Sequence, residues 1–196
     1  MPSHPNRHLL PIFLIAGALV LAACGSSSTT GSAPVATAQA GSESTNNGEA
    51  PAVSYIDSRY HYRIDGPGHM SANADGTASV IGPSERLVVS VVQGASAADP
   101  VALARTDVKS MPSSTANFLL KAGPGEITLN GKRVEKFIFT YNAGTSAVTG
   151  KPLDLVGVRY YIPKDSGTVA VVTYGIVSNQ YDPQGADDIA LTFQWQ

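Results

Sequence analysis

Cysteine is nearly missing from this chain. One occurs in 196 residues, at position 24. Thiol catalysis, cysteine-ligated zinc and iron–sulfur clusters therefore have no ligands beyond it. Charge is sparse as well, at 14% of residues, and before position 51 only Arg7, Glu43 and Glu49 carry any. The remaining 12 basic and 13 acidic residues leave residues 51–196 with a net charge of −1. A nucleic-acid binder carries a basic excess, so no nucleic-acid partner is expected. Histidine is scarce, with only His61 and His69 after residue 50. No H-E-x-x-H, EF-hand loop or G-x-S-x-G occurs, which removes the common zinc-protease, calcium-loop and hydrolase signatures.

Long apolar runs are scarce too. One exists, Leu9 to Leu21, after a short polar start whose positive charge is Arg7 and the amino terminus. That is the pattern of a charged n-region and an h-region of a signal peptide. As a helix, Leu9 to Ala23 would reach about 22 Å, short of the roughly 30 Å hydrocarbon core of a bilayer. Small residues follow, and then the lone cysteine.

Leu21-Ala22-Ala23-Cys24, followed by Gly25, resembles the lipobox of bacterial lipoproteins. The resemblance covers residues 1–24 and implies cleavage between Ala23 and Cys24, with diacylglycerol joined to the Cys24 sulfur. The alternative is an ordinary secretory signal with a chance cysteine, left as a free thiol. The expected organisation is a signal peptide at 1–23, a lipidated Cys24 with a flexible tether over 24–50, and a single domain at 51–196. Two long acyl chains at ~0.8 kcal/mol per buried CH₂ make such an anchor effectively permanent. The implied location is the cell membrane, lipid-anchored on its extracytoplasmic face. The tether is rich in Ser, Thr, Gly and Ala with no aromatic residue, so burial cannot repay its ordering entropy. Its root-mean-square reach is about 28 Å.

Beyond residue 50 the apolar pattern alternates in short runs. Tyr60 to Asp65 reads as a half-buried strand with Tyr60, Tyr62 and Ile64 on one side and His61, Arg63 and Asp65 on the other. Thr77 to Ile81 and Arg86 to Val92 read as strands, the second central because it is almost continuously β-branched. Asp99-Pro100 predicts a helix start. Val101, Ala104, Val108 and Met111 form its stripe, with Leu103 off it, and Pro112 closes it. Phe118 to Leu120 is a strand and Gly123-Pro124-Gly125 a turn. Ile127–Leu129 and Arg133–Tyr141 form a hairpin about Asn130-Gly131, with Phe137, Phe139 and Tyr141 on one face and Val134 and Ile138 on the other. Leu155–Ile162 and Thr168–Val177 form another across residues 163–167. Asp182-Pro183 begins a second helix whose stripe is Ala186, Ile189, Ala190 and Phe193. The order β-β-β-α-β-β-β-β-α predicts an α+β fold, an antiparallel sheet of about six to seven strands packed by helices.

This order, with Tyr62 to Met70, Leu129-Asn130-Gly131-Lys132 leading into Phe137-x-Phe139-x-Tyr141, Thr149-Gly150-Lys151 before Tyr160-Tyr161-Ile162, and Phe193-x-Trp195, resembles the PsbP-like fold, including the LpqN-type lipoproteins. The resemblance spans about 55–196. His69-Met70 stands where members often carry a Trp. It implies accessory or binding roles rather than a shared catalysis, and fold analogy alone does not carry function.

Few residues suggest chemistry. Residues 144–151 have a phosphate-loop look, but the spacing is one too long and Pro152 stands where Ser or Thr belongs. His61, His69 and Asp57 or Asp65 could supply zinc ligands, yet no close ligand pairing appears, so no metal and no cofactor are expected. Asp187 and Asp188 diverge by about 100° on a helix and sit near its positive end. Arg59, His61 and Arg63, alternating beside the tether, form the candidate interaction set, for anionic headgroups or an acidic partner. Tyr55, Tyr160, Tyr161, Tyr174, Tyr181 and Trp195 form an aromatic set, most of it assigned to the core. No catalytic residue is identified. The reading is a membrane-anchored, non-enzymatic binding or accessory protein with a protein or small apolar ligand as partner. The alternatives are a carrier of a small apolar ligand or lipid, and an enzyme of unrecognised type.

Overall fold

A computed structural model describes residues 52–146 and 149–196. The signal peptide, Cys24 and the tether lie outside the described residues.

Along the chain come β1 (Val53–Asp57), β2 (Tyr62–Gly66), β3 (Ser71–Ala72), β4 (Ala78–Ile81), β5 (Glu85–Gln93), α1 (Pro100–Ser114), β6 (Leu119–Leu129), β7 (Lys132–Thr145), β8 (Pro152–Asp165), β9 (Thr168–Val177), α2 (Pro183–Leu191) and β10 (Gln194–Trp195). Every strand pairing is antiparallel. The fold is α+β, but it holds two sheets where one was expected. Seven strands run in the order β3-β4-β5-β9-β8-β7-β6, and β1-β2-β10 form a separate sheet of three.

The large sheet is buried on both sides. On one face, Phe137 and Phe139 of β7, Tyr161 of β8 and Val169 and Val171 of β9 pack beneath Ala104 and Met111 of α1. On the other, Leu87, Val89, Val158, Tyr160, Ala170 and Val172 meet Tyr62 and Ile64 of the small sheet and Ala186 and Ala190 of α2. Adjacent residues point to opposite faces of a strand, so the near-continuous apolar runs of β8 and β9 supply both cores.

Each helix begins as its sequence dictates. The Asp99 carboxylate accepts the Ala102 backbone N–H at 3.0 Å, and Asp182 accepts those of Gln184 and Gly185, each at 3.1 Å. Both caps quench orphan donors at a helix start. Several boundaries differ from expectation. Pro112 lies inside α1, which runs two residues further, to Ser114. Leu103 packs against the α1-side core despite its place off the stripe. Gly123-Pro124-Gly125 makes no turn. It lies within β6, where the pairing shifts register on either side of Ala122, and a proline is tolerated there because β6 is an edge strand. Helix α2 stops at Leu191, so Phe193 is buried by the segment after the helix rather than by a helical stripe.

The first strand also moves. Residues 58–61 form the turn joining β1 to β2, with the Asp57 carboxylate accepting the N–H groups of Arg59 and Tyr60 at 2.9 and 2.7 Å. His61 sits at φ 57°, a left-handed conformation suited to a turn. Arg59 and His61 therefore do not continue the row begun by Arg63.

Two glycines make room for aromatic rings. Gly157 of β8 pairs directly with Gly175 of β9. A Cβ on Gly157 would fall 2.5 Å from Phe139 Cζ, and one on Gly175 2.7 Å from the Tyr141 hydroxyl. The rings from β7 thus lie flat across the neighbouring strands, which no residue with a side chain would permit.

Candidate functional site

A cavity lies where the β6–β7 turn, the end of β8 and the carboxyl-terminal segment converge. Leu129, Ile162, Ala190, Phe193 and Trp195 give it an apolar floor, and Asn130, Lys132 and Gln194 line its rim, around about 220 Å³.

The turn forms locally. Asn130 and Gly131 both have positive φ, 49° and 74°, as a two-residue hairpin loop requires. The Asn130 amide then donates to the Leu191 carbonyl at 2.8 Å, which satisfies a carbonyl left open at the end of α2. After α2, β10 pairs with β2, placing Trp195 opposite Tyr62. Phe193 stacks on Tyr62 at 5.3 Å, and Trp195 stands edge-on to Phe193 at 5.1 Å. Such offset and edge-on arrays match the quadrupoles of the rings.

The electrostatics of this corner are cationic. Lys164 Nζ lies 5.1 Å from the centre of the indole ring, and Lys132 is exposed on the rim. Among the described residues no acidic side chain lines the cavity. The Trp195 indole N–H is shut off from solvent and has no hydrogen-bond partner among the described residues, a costly arrangement for a donor. The lining offers two amides and one ammonium group, with Lys164 nearby at the indole ring, which suits recognition of an apolar group with an adjoining anion.

Two carboxylates pin the helices to the sheet. Asp107 of α1 accepts from Tyr161 Oη at 2.6 Å and Arg159 Nη1 at 2.9 Å. Asp187 of α2 accepts from Tyr160 Oη at 2.7 Å and Lys136 Nζ at 2.5 Å. Adjacent tyrosines therefore anchor opposite helices. Burial, followed by the hydrogen bond to its aspartate, raises each phenol far above its ordinary value. Asp188 points elsewhere and accepts from Gln184 at 2.8 Å. Tyr174 is likewise buried and donates to Glu85 at 3.0 Å. Tyr55 donates to Asp57 at 3.3 Å, and burial with that neighbour pushes its phenol up to about 12. Tyr181 is half-buried against the α2-side core.

The candidate interaction set is not one row. Arg63 of β2 pairs with Asp65 at 3.1 Å and donates to the Ser54 hydroxyl at 2.9 Å. Arg59 lies in the turn, 5.0 Å over the Tyr60 ring, and His61 is exposed. Nor do the conceivable zinc ligands gather. Asp57 caps the turn, Asp65 is held by Arg63, and no group of three His, Cys, Asp or Glu that could hold a metal ion occurs among the described residues. Of residues 144–151, Gly144 and Thr145 end β7 and residues 147 and 148 lie outside the described residues, while the Ser146 N–H donates to the Lys151 carbonyl at 2.8 Å.

Sequence reasoning missed Lys132, Lys164 and Gln194 as neighbours, and Asp107 as a helix anchor. The signals for the groove were present only separately, as the Asn-Gly turn and the terminal Phe-x-Trp. Nothing local joins them.

No family model and no curated protein matches this chain. Among solved structures, it is similar to the Ran-binding protein Mog1p of Saccharomyces cerevisiae, at 11% identity and a TM-score of 0.49, over 74% of this chain and 96% of that one. It is also similar to a crystal structure from Bacteroides thetaiotaomicron VPI-5482, at 9% identity and a TM-score of 0.49, over 73% of this chain. The match spans 48% of that second protein's length. Among the described residues no helix is long and apolar enough to cross a membrane.

Proposed function

We propose that this protein is a lipid-anchored, extracytoplasmic binding module with a PsbP-like cargo domain. It is held at the cell membrane through Cys24 and docks a partner protein at the groove beside Trp195. The anchor is supported by Leu21-Ala22-Ala23-Cys24 at the end of the apolar run. The PsbP-like assignment is supported by the antiparallel order around two helices and by the motifs that border the groove. The observation that carries the binding reading is the groove itself, an apolar floor under Lys132 and Lys164. An occupant with an apolar side chain next to a carboxylate fits both features.

At about 220 Å³ the cavity falls below the roughly 300–1,000 Å³ of ligand pockets. It accommodates one side chain more readily than a whole lipid, which favours docking over carriage. Its amide and ammonium lining favours recognition over acid–base catalysis.

Two measurements test the reading. Cys24→Ser should abolish detergent partitioning and leave the precursor uncleaved, and unchanged partitioning with normal processing would remove the anchor. A photo-crosslinker at position 132 in intact cells should give one discrete protein adduct that fades in Trp195→Ala, while the same probe at exposed Ile81 gives none. Adducts of lipid alone would favour the carrier.

A further inference from the structure

The α1 face of the large sheet continues toward a second cluster. Arg86 of β5, Tyr141 of β7 and Arg159 of β8 lie on it by register, since Arg86 faces Gly175, Gly175 faces Gly157, and Gly157 faces Phe139. All three are half-buried.

The Tyr141 hydroxyl lies over Gly175, 2.7 Å from where a Cβ would sit. Arg86 stands directly across from Gly175 on β5. Two residues along β9, Thr173 accepts Arg159 Nε at 2.9 Å. Register thus sets Arg86 and Arg159 on the strands paired with β9, on the same face as the hydroxyl. Burial raises the phenol, and both arginines pull against that rise.

The hydrogen-bonding capacity of the cluster is incompletely used. Arg159 gives Nη1 to Asp107 and Nε to Thr173, and it also lies against the Tyr161 hydroxyl. Arg86 gives Nη2 to the Ala143 carbonyl at 2.9 Å, while its Nε is sealed from solvent and finds no partner among the described residues. No carboxylate pairs with Arg86 among the described residues, because its neighbour Glu85 reaches Tyr174 on the opposite face. The Tyr141 hydroxyl makes no hydrogen bond among the described residues. Two positive charges against Asp107 leave the cluster at a net charge of +1. A half-buried guanidinium with no counter-ion is poorly compensated, and its planar fork matches an oxyanion.

We propose that Arg86, Arg159 and Tyr141 form a second binding site, separate from the groove, for an oxyanion of the phosphate class. The same chemistry is offered by a free phosphate and by a phospholipid headgroup.

Inorganic phosphate is the first probe, titrated into the full chain while the arginine Nε–H resonances are followed by NMR. The Arg86 and Arg159 signals should shift together and saturate. Tyr141→Phe keeps the ring over Gly175 and should weaken binding about tenfold, the effect of one lost hydrogen bond to an anion. Arg86→Gln should abolish saturation. If that variant does not fold, Arg86→Lys serves instead and should weaken binding by losing the fork while keeping the charge. Phosphatidylglycerol and phosphatidylcholine vesicles form the second arm. Shifts with phosphatidylglycerol vesicles at phosphate-equivalent concentrations, absent with phosphatidylcholine, assign a headgroup, and shifts with free phosphate alone assign a soluble ligand. Linear, unsaturating shifts in both arms, or equal affinity in wild type and Tyr141→Phe, would overturn the site.

Discussion

The two faces of the large sheet are fastened alike and closed differently. Each carries one helix, and each helix offers one aspartate to one tyrosine and one cation of the sheet. Beyond that pin they diverge. The α2 face is closed by a whole second layer, the β1-β2-β10 sheet, whose last strand ends one residue from the carboxyl terminus. Among the described residues the α1 face is covered by α1 with Ala97 and Phe118, and the sheet's own rings lie over Gly157 and Gly175. One core depends on a distant chain end returning, and the other on residues being small enough. The groove arises on the first face and the arginine cluster on the second.

That contrast can be broken at its strongest point on either side. Phe193→Ala removes a buried ring from the α2 face and should cost about 3–5 kcal/mol, measured by chemical denaturation. It should also release β10, seen as a red shift of the fluorescence of the chain's only tryptophan. Gly157→Ala drives a methyl into Phe139 on the α1 face and should cost up to about 3 kcal/mol, with Trp195 emission unchanged in the folded state. A red shift in both would mean that the two faces are one cooperative unit.

The pins sharpen the comparison. Asp187→Asn strands Lys136, whose side chain is 13% exposed, and Asp107→Asn strands Arg159, at 23%. Each should cost about 1–3 kcal/mol, the first more because its cation is further from water. Equal costs would show that burial of the cation is not what distinguishes them.

The smallest effect falls at Glu135, the one charged residue buried in the described part of the chain. Its carboxyl is raised by burial and then by Glu126, with Arg105 opposing. A folded value above the unfolded one favours folding while the group is protonated, and that advantage is lost as pH rises through the folded value. Above that value, where it is ionised, Glu135 is therefore a liability. Glu135→Gln should gain a few tenths of a kcal/mol at pH 7, and the gain should vanish at pH 4, with matched urea titrations as the check.

Much of this fold was legible locally. Asp99-Pro100 and Asp182-Pro183 opened helices because a capping carboxylate and a fixed φ act within one turn. Asn130-Gly131 made its hairpin because both residues accept positive φ. The split of β7 into a Phe137–Phe139–Tyr141 face and a Val134–Ile138 face was readable from period two. Arg59 and His61 were misplaced because turn residues 58–61 happen to alternate like a strand. Gly123-Pro124-Gly125 misled for the opposite reason, since an edge strand can absorb what would break a central one. Neither site was legible. The groove needs Lys132, Lys164 and Trp195 from three separate segments, and the arginine cluster needs β5 beside β9.

The sequence by itself determined the elements whose causes lie within a few residues: two capped helices, the hairpins, the two-sided strands, and the apolar run ending in Leu-Ala-Ala-Cys. Only the tertiary structure decided that β5 pairs with β9 and that Trp195 returns to β2. Those contacts join residues dozens of positions apart, and their selection rests on shape and burial summed over the whole core, which no local pattern records.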